Sequence, residues 1–347
     1  MKGKKIFSVV LLGVMLFSFW VAPVSSEASP EENGYNDCEN KTVLIGGQTV
    51  GVALYTDGLF VSDLVELTSD RGEKRNPGEE AGLKAGDYLL SANGTALQDI
   101  SNLDAVLSAS GGKALHLTVK RRDRTFTTDI VPVKCANDAG FRLGLWLRDS
   151  AAGLGTVTMV DPDTHRFYAL GHSIADAADP LPLTLRCGRL VSCRLTGVQP
   201  GKKGAPGELK GTFGINAGFL GTIEKNTRFG LTGIADNALC RGEKTAIAPS
   251  SAVHEGDAEI RCTIENQQTK NYRIKILKVN HQSTPDEKSM IIKVTDPELL
   301  NKTGGVVQGM SGSPILQDGR LIGAVTHVMI SDPTRGYGIF IEWMMTG

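Results

Sequence analysis

Gly309-Met310-Ser311-Gly312-Ser313-Pro314 runs directly into Ile315-Leu316-Gln317-Asp318-Gly319-Arg320-Leu321-Ile322-Gly323-Ala324-Val325. Two apolar runs flank an Asp-Gly pair, which is the pattern of a tight hairpin. A serine set between glycines at the entrance to a strand presents its hydroxyl on a sharp bend. The glycines let the N–H groups of Gly309 and Ser311 converge on one oxygen, the arrangement of an oxyanion hole. A plain Gly/Ser/Pro turn has the same letters. The hairpin behind it and a histidine upstream make Ser311 a candidate nucleophile.

A serine hydroxyl needs a base within hydrogen-bond reach, and the base needs an orienting group. Of the six histidines, His116 alternates within a strand pattern, and His165 and His254 lie in polar turns. His281 has no structured context. His172 ends the apolar stretch Arg166-Phe167-Tyr168-Ala169-Leu170 next to a glycine, where a barrel can fix a side chain and leave it accessible. It is the expected base, with His327, at the end of the hairpin strand, as the alternative. Asp176, Asp179 and Asp296 are the carboxylates weighed as orienting acid. Asp296 follows the strand-like Met290-Ile291-Ile292-Lys293-Val294 and precedes Pro297, and it is preferred.

Composition sets the frame. The chain has 347 residues, enough for about two domains. A net charge of −1 gives no general argument for nucleic acid. With 41 glycines and 14 prolines punctuating Val- and Thr-rich runs, the chain reads as mainly β. Lys2, Lys4 and Lys5 precede an apolar run from Ile6 to Val24, so residues 1–24 read as a signal sequence or membrane anchor. The rest is then expected outside the cytoplasm. Residues 25–42 are polar and read as a linker. None of the six cysteines forms Cys-x-x-Cys, so no zinc site and no cofactor is expected. Export permits disulfides, and a Cys187–Cys193 bridge would close a short loop, but the spacing cannot choose a pairing.

Residues 43–134 read as one compact unit. Val52-Ala53-Leu54-Tyr55 and Leu59-Phe60-Val61 flank an Asp57-Gly58 turn. A short helix follows at Pro77-Gly78, then a strand closed by Asn93-Gly94, a helix from Ile100, and an alternating strand at Leu115–Val119. This order, with Pro77-Gly78…Ala81-Gly82-Leu83-Lys84-Ala85-Gly86-Asp87…Asn93-Gly94, resembles a PDZ domain. The resemblance implies capture of an extended peptide as an added strand. Asp57-Gly58-Leu59-Phe60-Val61 is the nearest match to the Gly-containing loop and groove strand of that family. Asp57 would oppose a terminal carboxylate, so an internal peptide or a segment of this chain is the expected ligand.

From residue 141 to 347, short strands and Gly-rich turns suggest a β-barrel domain. The order His172, acid, Ser311 resembles that of chymotrypsin-like proteases, which implies a double β-barrel. Met310 stands where those enzymes usually carry an acid before the serine, so activation through a new N-terminus is not expected. Six residues before the serine, where they place a pocket residue, stands Gly305, which suggests a neutral, roomy pocket.

The combination is narrower. The membrane-directed N-terminus, the PDZ-like unit, Ala169-Leu170-Gly171-His172, Gly309–Pro314 and Thr326-His327-Val328…Asp332-Pro333-Thr334…Gly336-Tyr337-Gly338…Ile341-Glu342-Trp343-Met344 closely resemble the stage IV sporulation protein B peptidases of endospore-forming bacteria. Asp296 matches that family's catalytic acid. The resemblance implies a serine endopeptidase in the space between forespore and mother-cell membranes. It implies self-cleavage in the N-terminal region, and cleavage of a membrane-bound inhibitor of an intramembrane protease, with release of a mother-cell sigma factor. The partners implied are a protein substrate at a membrane surface and a peptide in the PDZ groove; self-association is a further option. A secreted PDZ scaffold with a dead protease barrel is the alternative from another functional class.

Overall fold

The computed structural model describes residues 41–135, 140–177, 179–214 and 217–347. The expected signal or anchor, nearly all of the linker, and Cys38 lie outside the described residues.

The mainly β reading holds, and the strand pairings build two closed barrels. The first uses β1 (Thr42–Ile45), β2 (Thr49–Leu64), β6 (Leu145–Val160), β7 (Arg166–Ala169), β8 (Leu185–Ser192), β9 (Phe219–Thr227) and β10 (Gly230–Ala235). β2 pairs with β6, β6 with β7, β7 with β10, β10 with β9, β9 with β8, and β8 returns to β2. Six antiparallel strands therefore close a ring, and β1 lies along β6. Inward-facing Val50, Val52, Leu54, Val157, Phe167, Leu190, Ile223 and Leu231 fill it. Each such side chain contributes about 1.5–3 kcal/mol on full burial.

The second barrel closes through β11 (Gly256–Thr263), β12 (Thr269–Val279), β13 (Met290–Val294), β14 (Pro314–Gln317), β15 (Arg320–Val328) and β16 (Arg335–Phe340). Ile260, Ile274, Met290, Ile292, Ile315, Leu321 and Phe340 form its core. The expected hairpin is β14–β15, with Gln317 opposite Arg320. Asp318 and Gly319 both take positive φ, 51° and 72°, the backbone of a two-residue hairpin turn. Helix α3 (Pro297–Thr303) sits between β13 and β14.

The domain boundaries differ from the sequence reading. The PDZ-like unit comprises the far end of β2, helix α1 (Pro77–Glu80), β3 (Tyr88–Ala92), helix α2 (Ile100–Ser110), β4 (Leu115–Arg121), β5 (Arg124–Ile130) and the near end of β6. It is an insertion in the β2–β6 hairpin of the first barrel, because Leu64 pairs with Leu145 on one side and Thr49 with Thr156 on the other. Residues 43–56, expected in the PDZ-like unit, belong to the barrel. Asp57-Gly58 is not a hairpin turn. β2 runs straight through it as one strand of 16 residues, and the partner register slips between Arg148 and Ser150. Positive φ at Gly58, 95°, serves a bulge as readily as a turn.

Among the described cysteines none is bridged: Cys135, Cys187, Cys193, Cys240 and Cys262 are free thiols. Cys187 lies on β8 and Cys193 directly follows it. Six extended residues separate them by roughly 20 Å, far beyond disulfide reach.

Candidate active site

The two barrels bring Ser311 and His172 to one cleft of about 440 Å³. His172 arrives from β7 of the first barrel through an unusual bend. Leu170 and Gly171 both have left-handed backbones, with φ of 70° and 72°. For leucine this conformation is strained. The packed surroundings hold it, since Leu170 N–H donates to the Thr156 carbonyl.

Ser311 arrives from the second barrel on the turn that enters β14. Thr156 N–H donates to the Ser311 carbonyl at 2.9 Å. Thr156 and Thr158 hydroxyls donate to the carbonyls of Gly309 and Gly312 at 2.8 and 2.7 Å. One strand of the first barrel thus grips the serine turn of the second on both sides. Gly312 has φ of 92°, and a Cβ there would come within 2.1 Å of the Thr156 carbonyl oxygen. Only glycine fits this approach.

The N–H groups of Met310, Gly312 and Ser313 donate to the carbonyls of Val307, Val325 and Met310. Those of Gly309 and Ser311 have no acceptor among the described residues. Two unpaired donors, at the positions expected from the motif, flank the cleft. The Ser311 hydroxyl donates to the Thr326 carbonyl at 2.8 Å, so attack requires it to turn toward His172. Ser313 is fully buried, and its hydroxyl has no partner; it does not line the cleft.

His172 Nδ1 lies 2.8 Å from the Ser173 carbonyl oxygen. A carbonyl can only accept, so Nδ1 carries the proton and Nε2 keeps its lone pair. Burial lowers the His172 pKa, with the Ser173 hydrogen bond and the field of Glu287 opposing it. The His327 ring stacks against His172, centroids 4.8 Å apart and planes tilted by 36°. Its Nδ1 is buried without a partner, and desolvation, with His172 and Lys288 adding to it, lowers its pKa to about 4.

The acid chosen from sequence is elsewhere. Asp296 is the N-cap of α3: its carboxylate accepts from Glu298 and Leu299 N–H and from Arg273 N–H, and faces the Arg273 guanidinium. It does not line the cleft. The physical reason was already in the letters, because Asp before Pro is a helix-start signature. Asp176, the runner-up, pairs with Arg148 at 3.3 Å. The group that meets His172 Nδ1 is the Ser173 carbonyl, not a carboxylate. Asp296→Asn is therefore expected to keep turnover within about tenfold, where loss of a triad acid would cost about 10⁴. Asp296→Ala is expected to lose about 1 kcal/mol of stability through the lost cap. Peptide turnover and denaturant melts of both variants check this.

Gly305 is not a pocket residue. A Cβ there would lie 2.0 Å from the Pro333 carbonyl oxygen, and the wall of the cleft begins at Val306.

The segment expected to bind peptide has no free edge. Leu59, Phe60 and Val61 are buried. Leu59 and Phe60 pair with β3 on one edge, and Phe60 and Val61 pair with β6 on the other. Asp57 N–H is taken by the Thr184 carbonyl. No edge remains there for an added strand. The strand beside α2 is the start of β6, Leu145–Arg148, paired on one side with β2; Ile100 N–H of α2 meets the Asp149 carboxylate. A cavity of about 370 Å³ lies between α2 and Gly140-Phe141-Arg142. In the sequence the start of β6 is Leu145-Trp146-Leu147 after Leu143-Gly144, a glycine leading into an alternating strand.

Two six-stranded barrels meet at a cleft lined by a serine and a histidine, and a PDZ-like module is inserted in the first barrel. A family model for PDZ domains matches residues 69–121, and the model described as SpoIVB peptidase S55 matches residues 139–345. The chain belongs to the SpoIVB peptidase S55 family. It is also similar to "Putative zinc metalloprotease LL2128" of Lactococcus lactis subsp. lactis, 37% identical over 135 residues, covering 36% of this chain and 31% of that one. A protein of the same description from Nostoc sp. is 42% identical over 71 residues, 19% of each chain. The chain spans about a third or less of the length of these two relatives. Among solved structures, the Rv3671c protease of M. tuberculosis in its active form aligns over 56% of this chain and 72% of its own, at 13% identity and a TM-score of 0.35.

Proposed function

We propose that this protein is an exported serine endopeptidase of sporulation signalling, with Ser311 as nucleophile, His172 as base, and the N–H groups of Gly309 and Ser311 as oxyanion hole. The observation that carries the reading is the pair of unpaired N–H donors beside Ser311, on the cleft that His172 also lines. Ser311 Oγ turns from Thr326, gives its proton to His172 Nε2 and attacks the substrate carbonyl. The oxyanion forms against Gly309 and Ser311 N–H, and His172 then protonates the leaving amine. The Ser173 carbonyl fixes the tautomer throughout.

Membership of the family supports the biological setting: the space between forespore and mother-cell membranes, self-cleavage in the N-terminal region, and cleavage of a membrane-bound inhibitor of an intramembrane protease upstream of a mother-cell sigma factor. The self-cleavage claim is tested by incubating the purified full chain alone and sequencing its fragments by mass spectrometry. Cuts within the N-terminal region that vanish in Ser311→Ala support it. An intact chain with an active site that hydrolyses peptides contradicts it.

The PDZ insert supports a further part of the reading, control of the cleft by peptide occupancy. β6 begins as the sheet strand beside α2, lines the cleft at Ala151–Leu154, and ends on the serine turn through Thr156 and Thr158. Tyr55 and Ser150 are register partners, so an Asn-Gly turn can replace residues 56–149 without breaking the barrel. The excised protein is expected to hydrolyse a short peptide near the parent rate and to change its rate on a protein substrate more than tenfold. Equal effects on both substrates would contradict this coupling.

A further inference from the structure

The cleft beside Ser311 is lined by Val306 and Val307, before the serine, and by Val328 and Ile330, after His327. Leu154 and Pro206 complete it from the first barrel and the neighbouring loop. Apart from the two histidines, none of its lining residues is ionisable. Glu287 and Lys288, whose fields reach the histidines, are opposite in sign and lie outside the lining.

We infer that this cleft receives the substrate side chain next to the scissile bond, and that it selects an uncharged aliphatic or aromatic residue. The inference rests on the reading of Ser311 as nucleophile and adds the substrate class. An apolar side chain that packs on Val306, Val307 and Val328 is removed from water at a gain of about 25 cal/mol per Å². A Lys, Arg, Asp or Glu side chain would leave water with no counter-charge to meet it, a penalty that binding cannot recover. Small differences in apolar size give discrimination of roughly 10–200-fold. Exclusion of a charged residue is expected to reach at least about 10²-fold in kcat/KM.

The test uses the full chain and a panel of tripeptidyl diphenyl phosphonates that differ only in the residue at the reacting phosphorus: the Val, Leu, Phe, Lys and Asp analogues. A simple fluorophosphonate serves as the control, and intact mass reads the labelling rate. The Val, Leu and Phe probes are expected to label at least about 10²-fold faster than the Lys and Asp probes. Ile330 is 57% exposed at the mouth, so Ile330→Glu leaves folding unaffected; it is expected to raise the Lys-probe rate about tenfold. Val328→Asp, a half-buried position, tests the same wall more deeply, with its melting temperature as the folding check. Lys or Asp probes labelling as fast as Leu would overturn the inference. So would a panel that fails wholly while the fluorophosphonate labels Ser311. If the fluorophosphonate also fails on folded protein, the nucleophile assignment itself falls, and the inference with it.

Discussion

Ser311→Ala is expected to lower kcat on any peptide substrate by on the order of 10⁶, the scale seen when a serine peptidase loses its nucleophile. The fold should stay intact. The lost atom makes one hydrogen bond, to the Thr326 carbonyl, so stability should fall by about 1 kcal/mol or less. The turn is held by backbone bonds and by Thr156 and Thr158, none of which uses the serine side chain. Ser313→Ala is the control. Its hydroxyl is buried and unpartnered, so removing it should leave turnover within a few-fold of the parent and not lower the melting temperature. Steady-state kinetics beside thermal melts check both variants. An inactive Ser313→Ala with an active Ser311→Ala would overturn the assignment.

His172→Ala is expected to be as damaging, on the order of 10⁶ in kcat, because nucleophile and base act as a unit. The pH profile carries its signature. The base must be neutral to accept a proton, and burial lowers its pKa from 6.5. Activity is therefore expected to be full at neutral pH, with the acid limb of kcat/KM lying below pH 6.5. Stability follows the same sign. His172 and His327 both have depressed folded pKa values, so the unfolded chain binds more protons below pH 6.5 and stability declines as pH falls from there toward about 4, the value for His327. His327 has no polar partner for Nδ1, which points to its ring face rather than its nitrogen. His327→Phe should retain turnover within a few-fold, whereas His327→Ala should lose about tenfold and move the acid limb toward pH 6.5 as His172 becomes solvated. A His327→Phe variant as impaired as His327→Ala would instead assign the nitrogen a direct role.

Local chemistry was legible and long-range pairing was not. The Gly309–Pro314 turn, the Asp318-Gly319 hairpin and the strand ending at His172 are written in adjacent residues and are legible there. The closure of the first barrel depends on β2 meeting β6 across the whole PDZ insertion. Nothing in Val52–Tyr55 announces a partner at Ser150–Gly153. A chain-order reading therefore gave residues 43–56 to the wrong body and placed the groove strand at Leu59–Val61. Asp296 fell to competing signals of a different kind. A strand end followed by a carboxylate suits an active site, but Asp-Pro at a helix start suits a cap, and the α3 N–H groups claim it. The partner of His172 Nδ1 was invisible because it is a backbone carbonyl, which every residue possesses.

The most direct measurement is fluorophosphonate labelling of the full chain, with the modified residue located by tandem mass spectrometry. One label is expected, on Ser311, present in the parent and in Ser313→Ala and strongly reduced in His172→Ala. A label on Ser313, or none on protein with a cooperative melt, would contradict it.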